Sequence, residues 1–251
     1  MKDEIINTDP LSLLKSFTAA RIAIGRVGNS IPLKQSLEFK LAHAHARDAV
    51  YSVLDTEGLL NNLNVFNLPV LHLHSKAQTR HKYLKRPDYG RQLNDESTEQ
   101  LKDYNGTGYD VVVIIADGLS ATAVNENAFD LVEILIPMLL GAKLKPGPIC
   151  LVEQGRVAIG DDIGYGLNAK FSILLIGERP GLSSADSIGA YLTYNPRPGL
   201  TDESRNCISN IRPQGLTSKP AADKIFYLIN EAFRRKLSGV GLKDNAGEIG
   251  H

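Results

Sequence analysis

Residues 109–120 read YDVVVIIADGLS, and the fold turns on them. Val111 through Ile115 are β-branched without interruption, and no polar residue alternates with them. A strand of that composition offers no face to water, so it must be covered on both sides. Asp117-Gly118 ends the run. Downstream, AFDLVEILIPMLLGAKL (128–144) carries Leu131, Ile134, Leu135 and Met138 at helical spacing, and Pro137 predicts a kink or a break. GPICLV (147–152) predicts a second strand, GDDIGYGLNA (160–169) a short helix and KFSILLI (170–176) a third strand. Strand, helix, strand, helix, strand with wholly apolar strands is the pattern of a parallel α/β sheet flanked by helices.

SIGAYLTYN (187–195) and NCISNIR (206–212) predict shorter strands. SKPAADKIFYLINEAFRRKLSG (218–239) predicts a closing helix. Ser218 is expected to cap it, Pro220 to suit its first turn and Gly239 to stop it. Ile225, Leu228, Ile229, Ala232, Phe233 and Leu237 form its apolar stripe. Upstream the pattern changes: residues 32–54 predict a helix, LPVLHLHS (68–75) a single strand, and KRPDYGRQL (85–93) turns. A composition shift at 94–108 divides a mainly helical region, 1–100, from an α/β domain, 101–251.

Twenty-eight basic residues balance twenty-eight acidic ones. That balance lacks the basic excess of a nucleic-acid binder. No apolar run reaches the roughly 20 residues of a membrane span. Two cysteines, Cys150 and Cys207, make no disulfide framework. Cytoplasmic residence is the expectation.

GYGLNA (164–169) spells a dinucleotide fingerprint, but it leads from a helix into a strand, the reverse of the order that motif needs. His72 and His74 share a strand face, two ligands where zinc wants three or four. His43 and His45 point apart on a helix. Cys207 in NCISN is a candidate nucleophile without an identifiable base, so a small apolar filler is the plainer reading. RPDYGR (86–91) reads as an ion-pair network or an interface element.

In an open parallel sheet, ligands sit beyond the carboxyl ends of the strands. Asp117-Gly118-Leu119-Ser120, Glu153-Gln154-Gly155 and Gly177-Glu178-Arg179-Pro180-Gly181 all follow predicted strands and so share one edge. Their glycines are expected to let a ligand approach the backbone. Glu178 and Arg179 are also placed to form a simple salt bridge.

Several strings carry a resemblance. ARIAIGRVGNS (20–30), LAHAHARDAV (41–50), YLKRPDYGRQL (83–93), DVVVIIADGLSATAV (110–124), the long stretch from IGERPGLSSADS to RNCISNIRPQGL (176–216) and AADKIFYLINEA (221–232) resemble the small-subunit family of ethanolamine ammonia-lyase. The likeness runs in order from about Ala20 to about Ser238. It implies an adenosylcobalamin-dependent lyase that converts ethanolamine to acetaldehyde and ammonia, through cobalt–carbon homolysis and hydrogen abstraction. It implies a larger, barrel-shaped partner subunit that holds the substrate, so no catalytic residue is expected here. A Rossmann-like domain of this chain would close over cobalamin at the subunit interface, with residues 1–100 packing on the partner.

Residue by residue, the implied cofactor contacts are Val157 in GRVAIG, Glu178 in IGERPG and Cys207 in RNCISN. No Asp-x-His-x-x-Gly motif surrounds His43, His45, His72, His74, His81 or His251, so no cobalt ligand is expected from this chain. His72 and His74 are expected to precede the sheet, away from its ligand edge. Some members enter a bacterial microcompartment through an N-terminal extension. Here the likeness starts after a short lead, which leaves encapsulation open. A nucleotide-binding oxidoreductase and a purely structural partner subunit are the competing expectations.

Overall fold

The computed structural model describes residues 10–18, 20–106 and 108–243. The lead before Pro10, Thr107 in the expected boundary, and His251 lie outside the described residues. In chain order the elements are α1 (Leu33–Val50), α2 (Thr56–Leu63), β1 (Val70–His74), α3 (Arg80–Lys85), α4 (Asp95–Lys102), β2 (Tyr109–Ala116) and α5 (Ala121–Gly141). They continue with β3 (Pro146–Glu153), α6 (Ile159–Gly166), β4 (Ala169–Gly177), β5 (Ile188–Tyr194), β6 (Asn206–Ile211) and α7 (Ser218–Arg235). The six strands make one sheet in the order β1-β3-β2-β4-β5-β6.

The uninterrupted run of β2 sits inside this sheet, flanked by β3 and β4. Its side chains divide by parity. Val111, Val113 and Ile115 face one core with α5 and α7, whereas Val112, Ile114 and Ala116 face a second core with α6. All six are essentially inaccessible, which is why no polar position interrupts the run. Each such buried aliphatic side chain contributes about 1.5–3 kcal/mol.

β1, β3, β2 and β4 are parallel to one another, but β5 and β6 add antiparallel. The sheet is therefore mixed, where the sequence pattern predicted a parallel one. β5 can turn back because β4 reaches it through a ten-residue loop, 178–187, with no crossover helix. β1, expected as an isolated strand, extends the sheet beside β3, with Val70 opposite Ile149 and His74 opposite Glu153. That overturns the placement of His72 and His74 before the sheet.

Helix ends also differ from expectation. α5 starts at Ala121, seven residues early, because Ser120 Oγ accepts from the Ala123 N–H at 3.2 Å and caps it. The helix then runs through Pro137 without a break. Pro137 lies on the exposed side, so the carbonyl it leaves unbonded faces water. In α7 Thr217, not Ser218, is the N-cap, and its side chain makes no cap bond. Lys236 takes the left-handed conformation that ends α7, at φ +56°. Gly239 serves another end: a Cβ there would overlap the Glu203 carbonyl.

Candidate functional site

The three glycine-bearing loops do share the carboxyl edge of β2, β3 and β4. The helices after β2 and β3 pass to opposite faces of the sheet, so the crevice between those two strands is where ligands dock in such folds. Here it is filled by the protein itself. Arg80 reaches in from α3, and its Nη1 lies 3.5 Å from Asp117 Oδ2. The same guanidinium donates to the carbonyls of Val50 and Gly118 at 2.6 and 2.8 Å. The Gly155 N–H donates to Asp117 Oδ1 at 3.1 Å. Burial pushes the Asp117 carboxyl up to about 6, against the pull of Arg80 and the backbone amides.

The loop glycines serve this closure. A Cβ on Gly118, which holds φ +56°, would overlap the Gly177 carbonyl, and one on Gly177 would overlap that of Ser120. Leu119 N–H donates to Gly177 O at 2.9 Å, which pins the two loops together. The expectation that these glycines admit a ligand to the backbone is thus corrected for Gly118 and Gly177. They admit each other's backbone.

An open surface lies further along the sheet. Over β5 and β6, one face is covered by α7, which buries Ile188, Ala190, Leu192, Ile208 and Ile211. The opposite face carries Gly189 and Tyr191 from β5 and the exposed Cys207 and Ser209 from β6. Glu178 joins this face because it follows Leu174 and Ile176 in strand parity, and both pack on the α6 side. Val157, just ahead of α6, is half-buried against the same core.

Val157 also lines the mouth of a cleft of about 1130 Å³ that includes Arg156, Asp161, Tyr165 and the loop Pro198–Asp202. Neither Glu178 nor Cys207 lines it. The buried Arg205 fixes that loop by bonding Asp161, Asp202 and the Leu200 carbonyl. The structure thus brings Glu178 and Cys207 together on the open sheet face and sets Val157 at its margin, beside the cleft.

Glu178 is held without Arg179. Its Oε2 accepts from Ser187 Oγ at 2.6 Å and from the Asn210 N–H at 3.1 Å, while Arg179 points to solvent. Among the described residues Oε1 has no protein hydrogen bond and remains available as an acceptor. Cys207 is exposed as an edge-strand residue, yet enough protein surrounds its thiol to push its pKa up; Glu178 adds to this and a hydrogen bond from Tyr191 opposes it. A raised thiol is a poor nucleophile, which favours a packing role.

The other singled-out motifs fall elsewhere. His72 Nε2 lies 2.8 Å from Glu153 Oε1, and His74 Nδ1 bonds the Ser75 carbonyl. Among the described residues no three His, Cys, Asp or Glu side chains gather as a metal site. Arg86 and Asp88 form an exposed ion pair at 2.7 Å. GYGLNA closes α6 and enters β4, as its context predicted.

The sequence from residue 8 to residue 243 matches the ethanolamine ammonia-lyase light chain (EutC) family. The chain belongs to that family. Relatives named ethanolamine ammonia-lyase small subunit share 50% identity in Pseudomonas fluorescens strain Pf0-1 and 52% in Xanthomonas campestris pv. campestris strain ATCC 33913. Each match spans 241 residues, 95% of this chain and 88% or 89% of the relative. The Azotobacter vinelandii small subunit is 49% identical over the same length. As an ethanolamine ammonia-lyase light chain, the protein is a subunit of a lyase. No described helix is long and apolar enough to cross a membrane.

Sequence reading missed Arg80, Ser187, Asn210 and Tyr191. Alternation along SIGAYLTYN was signal enough for Tyr191, since Ile188, Ala190 and Leu192 claim the buried face and leave Gly189 and Tyr191 on the other. Nothing local marks Arg80, whose partners lie 30 to 74 residues away in the chain.

Proposed function

We propose that this light chain works in an adenosylcobalamin-dependent ethanolamine ammonia-lyase and covers the cofactor where it meets a larger catalytic subunit. Its relatives are named small subunits, which implies the larger partner. One observation carries the reading: Val157, Glu178 and Cys207, the residues the resemblance assigns to cobalamin, belong to one side of the sheet, the side left partly open over β5 and exposed over β6.

That surface fits the group. A corrinoid is broad and nearly flat, with amides around its rim. An open sheet face suits it better than a closed pocket. Val157 offers apolar contact, Glu178 Oε1 accepts from a rim amide or hydroxyl, and Cys207 packs. When bound, cobalamin supplies radical chemistry from its cobalt–carbon bond, while this chain orients it and excludes water. The histidines of β1 face the other way: Leu71 and Leu73 pack on the α6 side, so His72 and His74 point to the opposite side of the sheet. In this reading the chain would supply no ligand to cobalt. Labelling this chain's histidines with nitrogen-15 should leave the Co(II) paramagnetic resonance pattern unchanged.

We assign residues 101–251 to a Rossmann-like cofactor-contacting domain and residues 1–100, which lend β1 to the sheet, to packing on the larger subunit. α1 supports this. Of its 18 residues only Ala49 is buried, and Leu33, Leu37 and Leu41 form an exposed apolar line along one side. Most helical stability in proteins comes from packing an apolar face, which α1 leaves exposed here. Cytoplasmic residence is part of the same proposal.

A nucleotide-binding oxidoreductase would need the strand-end crevice, which Arg80 and Asp117 fill. Co-expression with the larger subunit, followed by absorbance, tests the reading. Corrinoid bands from the complex are expected, and no ammonia from this chain alone with ethanolamine and adenosylcobalamin. Ammonia released by the isolated chain would overturn it.

A further inference from the structure

The open face has a fourth member that the resemblance leaves unassigned. Tyr191 lies mid-strand in β5, opposite Leu174 of β4 on one side and Cys207 of β6 on the other. Two residues earlier on the same face, Gly189 has no side chain, and its neighbours close over it. A Cβ there would stand 3.1 Å from Glu178 Oε1 and 3.4 Å from Tyr191 Cε2. The Glu178 carboxylate and the Tyr191 ring therefore flank a single glycine. The side chains of Tyr191 and Cys207 are cross-strand neighbours, and the ring packs on the same core as Val157. Tyr191 thus adjoins Glu178 and Cys207 and shares its packing surface with Val157.

A purely structural tyrosine in this protein looks different. Tyr83 is 1% exposed, lies between the guanidinium groups of Arg80 and Arg156, and donates its hydroxyl to the Gly155 carbonyl at 3.2 Å. Tyr191 is only half-buried, beside the exposed Cys207 of the edge strand. A large aromatic ring left there has apolar area still to bury.

We propose that Tyr191 is a ligand-contacting residue of this face: its ring, beside Cys207, forms a flat wall against which the cofactor packs. This rests on the reading that a corrinoid docks on this face. A ring gives a broad contact at little conformational cost, and Gly189 keeps that contact from being lifted off the sheet. Glu178 then supplies the directional bond, and Tyr191 the area.

The test uses the full chain in complex with its larger subunit, with hydroxocobalamin as the probe in equilibrium dialysis. Tyr191→Ala should weaken binding about tenfold or more, and Tyr191→Phe, which keeps the ring, by no more than about threefold. If the alanine variant does not assemble, Tyr191→Leu replaces it and should still lose about fivefold. A second readout is alkylation of Cys207, followed on its own peptide by mass spectrometry. Bound hydroxocobalamin should suppress it in the parent and less so in Tyr191→Ala. Binding by Tyr191→Ala or Tyr191→Leu within twofold of the parent would overturn the proposal. If Glu178→Gln weakens binding in the same assay, only the role of Tyr191 has failed. If both variants bind like the parent, the docking face itself is wrong.

Discussion

The two halves of the sheet solve the same packing problem in opposite ways. The parallel half, β1-β3-β2-β4, is covered on both faces, and its strand-end crevice is closed by Arg80, Asp117 and interlocked glycine loops. The antiparallel half, β5-β6, is covered by α7 on one face and partly open on the other, where Tyr191 is half-buried and Cys207 and Ser209 are exposed. In folds of this class the crevice of the parallel half is the usual ligand site. Here that half gives rigidity and the extension gives surface. Fold class alone points to the crevice, whereas the proposed docking face lies on the other half.

The sharpest way to break this contrast is at the crevice. Arg80→Ala leaves a buried carboxylate unpaired, which should cost about 3–5 kcal/mol. A chain of this size should then melt about 6–20 °C lower by calorimetry, while cobalamin affinity of any complex that still assembles stays at the parental value. Lost affinity with an unchanged melting point would mean the crevice is functional. The same pair predicts a pH signature. Because the Asp117 carboxyl is raised to about 6 from an ordinary value near 3.8, it favours the folded state most below that ordinary value. The contribution is lost as pH rises through 6. Melting curves of the parent against Asp117→Asn should show the parent losing relative stability between about pH 4 and 6 and running parallel above 7.

A second test separates docking surface from fold. Leu37 and Leu41 of α1 are both more than half exposed. Replacing both by Asp should leave the isolated chain's melting point unchanged and weaken assembly with the larger subunit by at least about 2 kcal/mol, or thirtyfold. Sedimentation of mixed subunits reads this directly, and unaltered assembly would remove α1 from the interface.

On the open half, Glu178→Gln should weaken hydroxocobalamin binding by about 1–3 kcal/mol, the range for a charge-assisted bond lost from a largely dry interface. Stability should change less, because glutamine keeps an acceptor for Ser187 or Asn210. A lower melting point with unchanged affinity would make Glu178 a loop brace only. The smallest effect is expected at the edge strand. Cys207→Ala removes one contact atom and should cost under about 1 kcal/mol of affinity with no loss of stability, since the residue is exposed.

Legibility followed the same division. The runs that became β2, β3 and β4 were plain, because strands buried on both faces carry unbroken apolar sequence. The stripe of α7 was plain for the equivalent reason at helical period. α1 was legible as a helix, but only the structure shows that Ala49 alone of its residues is buried. Glu178 and Cys207 came from the resemblance, not from their chemistry. Tyr191 was within reach of strand alternation and was overlooked.

The sequence by itself marked the six strands and the helices α1, α5, α6 and α7, though not α2, α3 or α4; it also required β2 to lie inside a sheet and showed which family the chain resembles. These are local properties, set by hydrophobic period and by strings of neighbouring residues. Only the tertiary structure decided that β1 joins beside β3, that β5 and β6 run antiparallel, and that Arg80 fills the crevice. Each depends on partners far apart in the chain: Val70 with Ile149, Tyr191 with Cys207, Arg80 with Gly118 and Gln154. Hydrophobic period tells a residue which way to face. It carries no information about which distant residue it will face, and the site is made of such pairings.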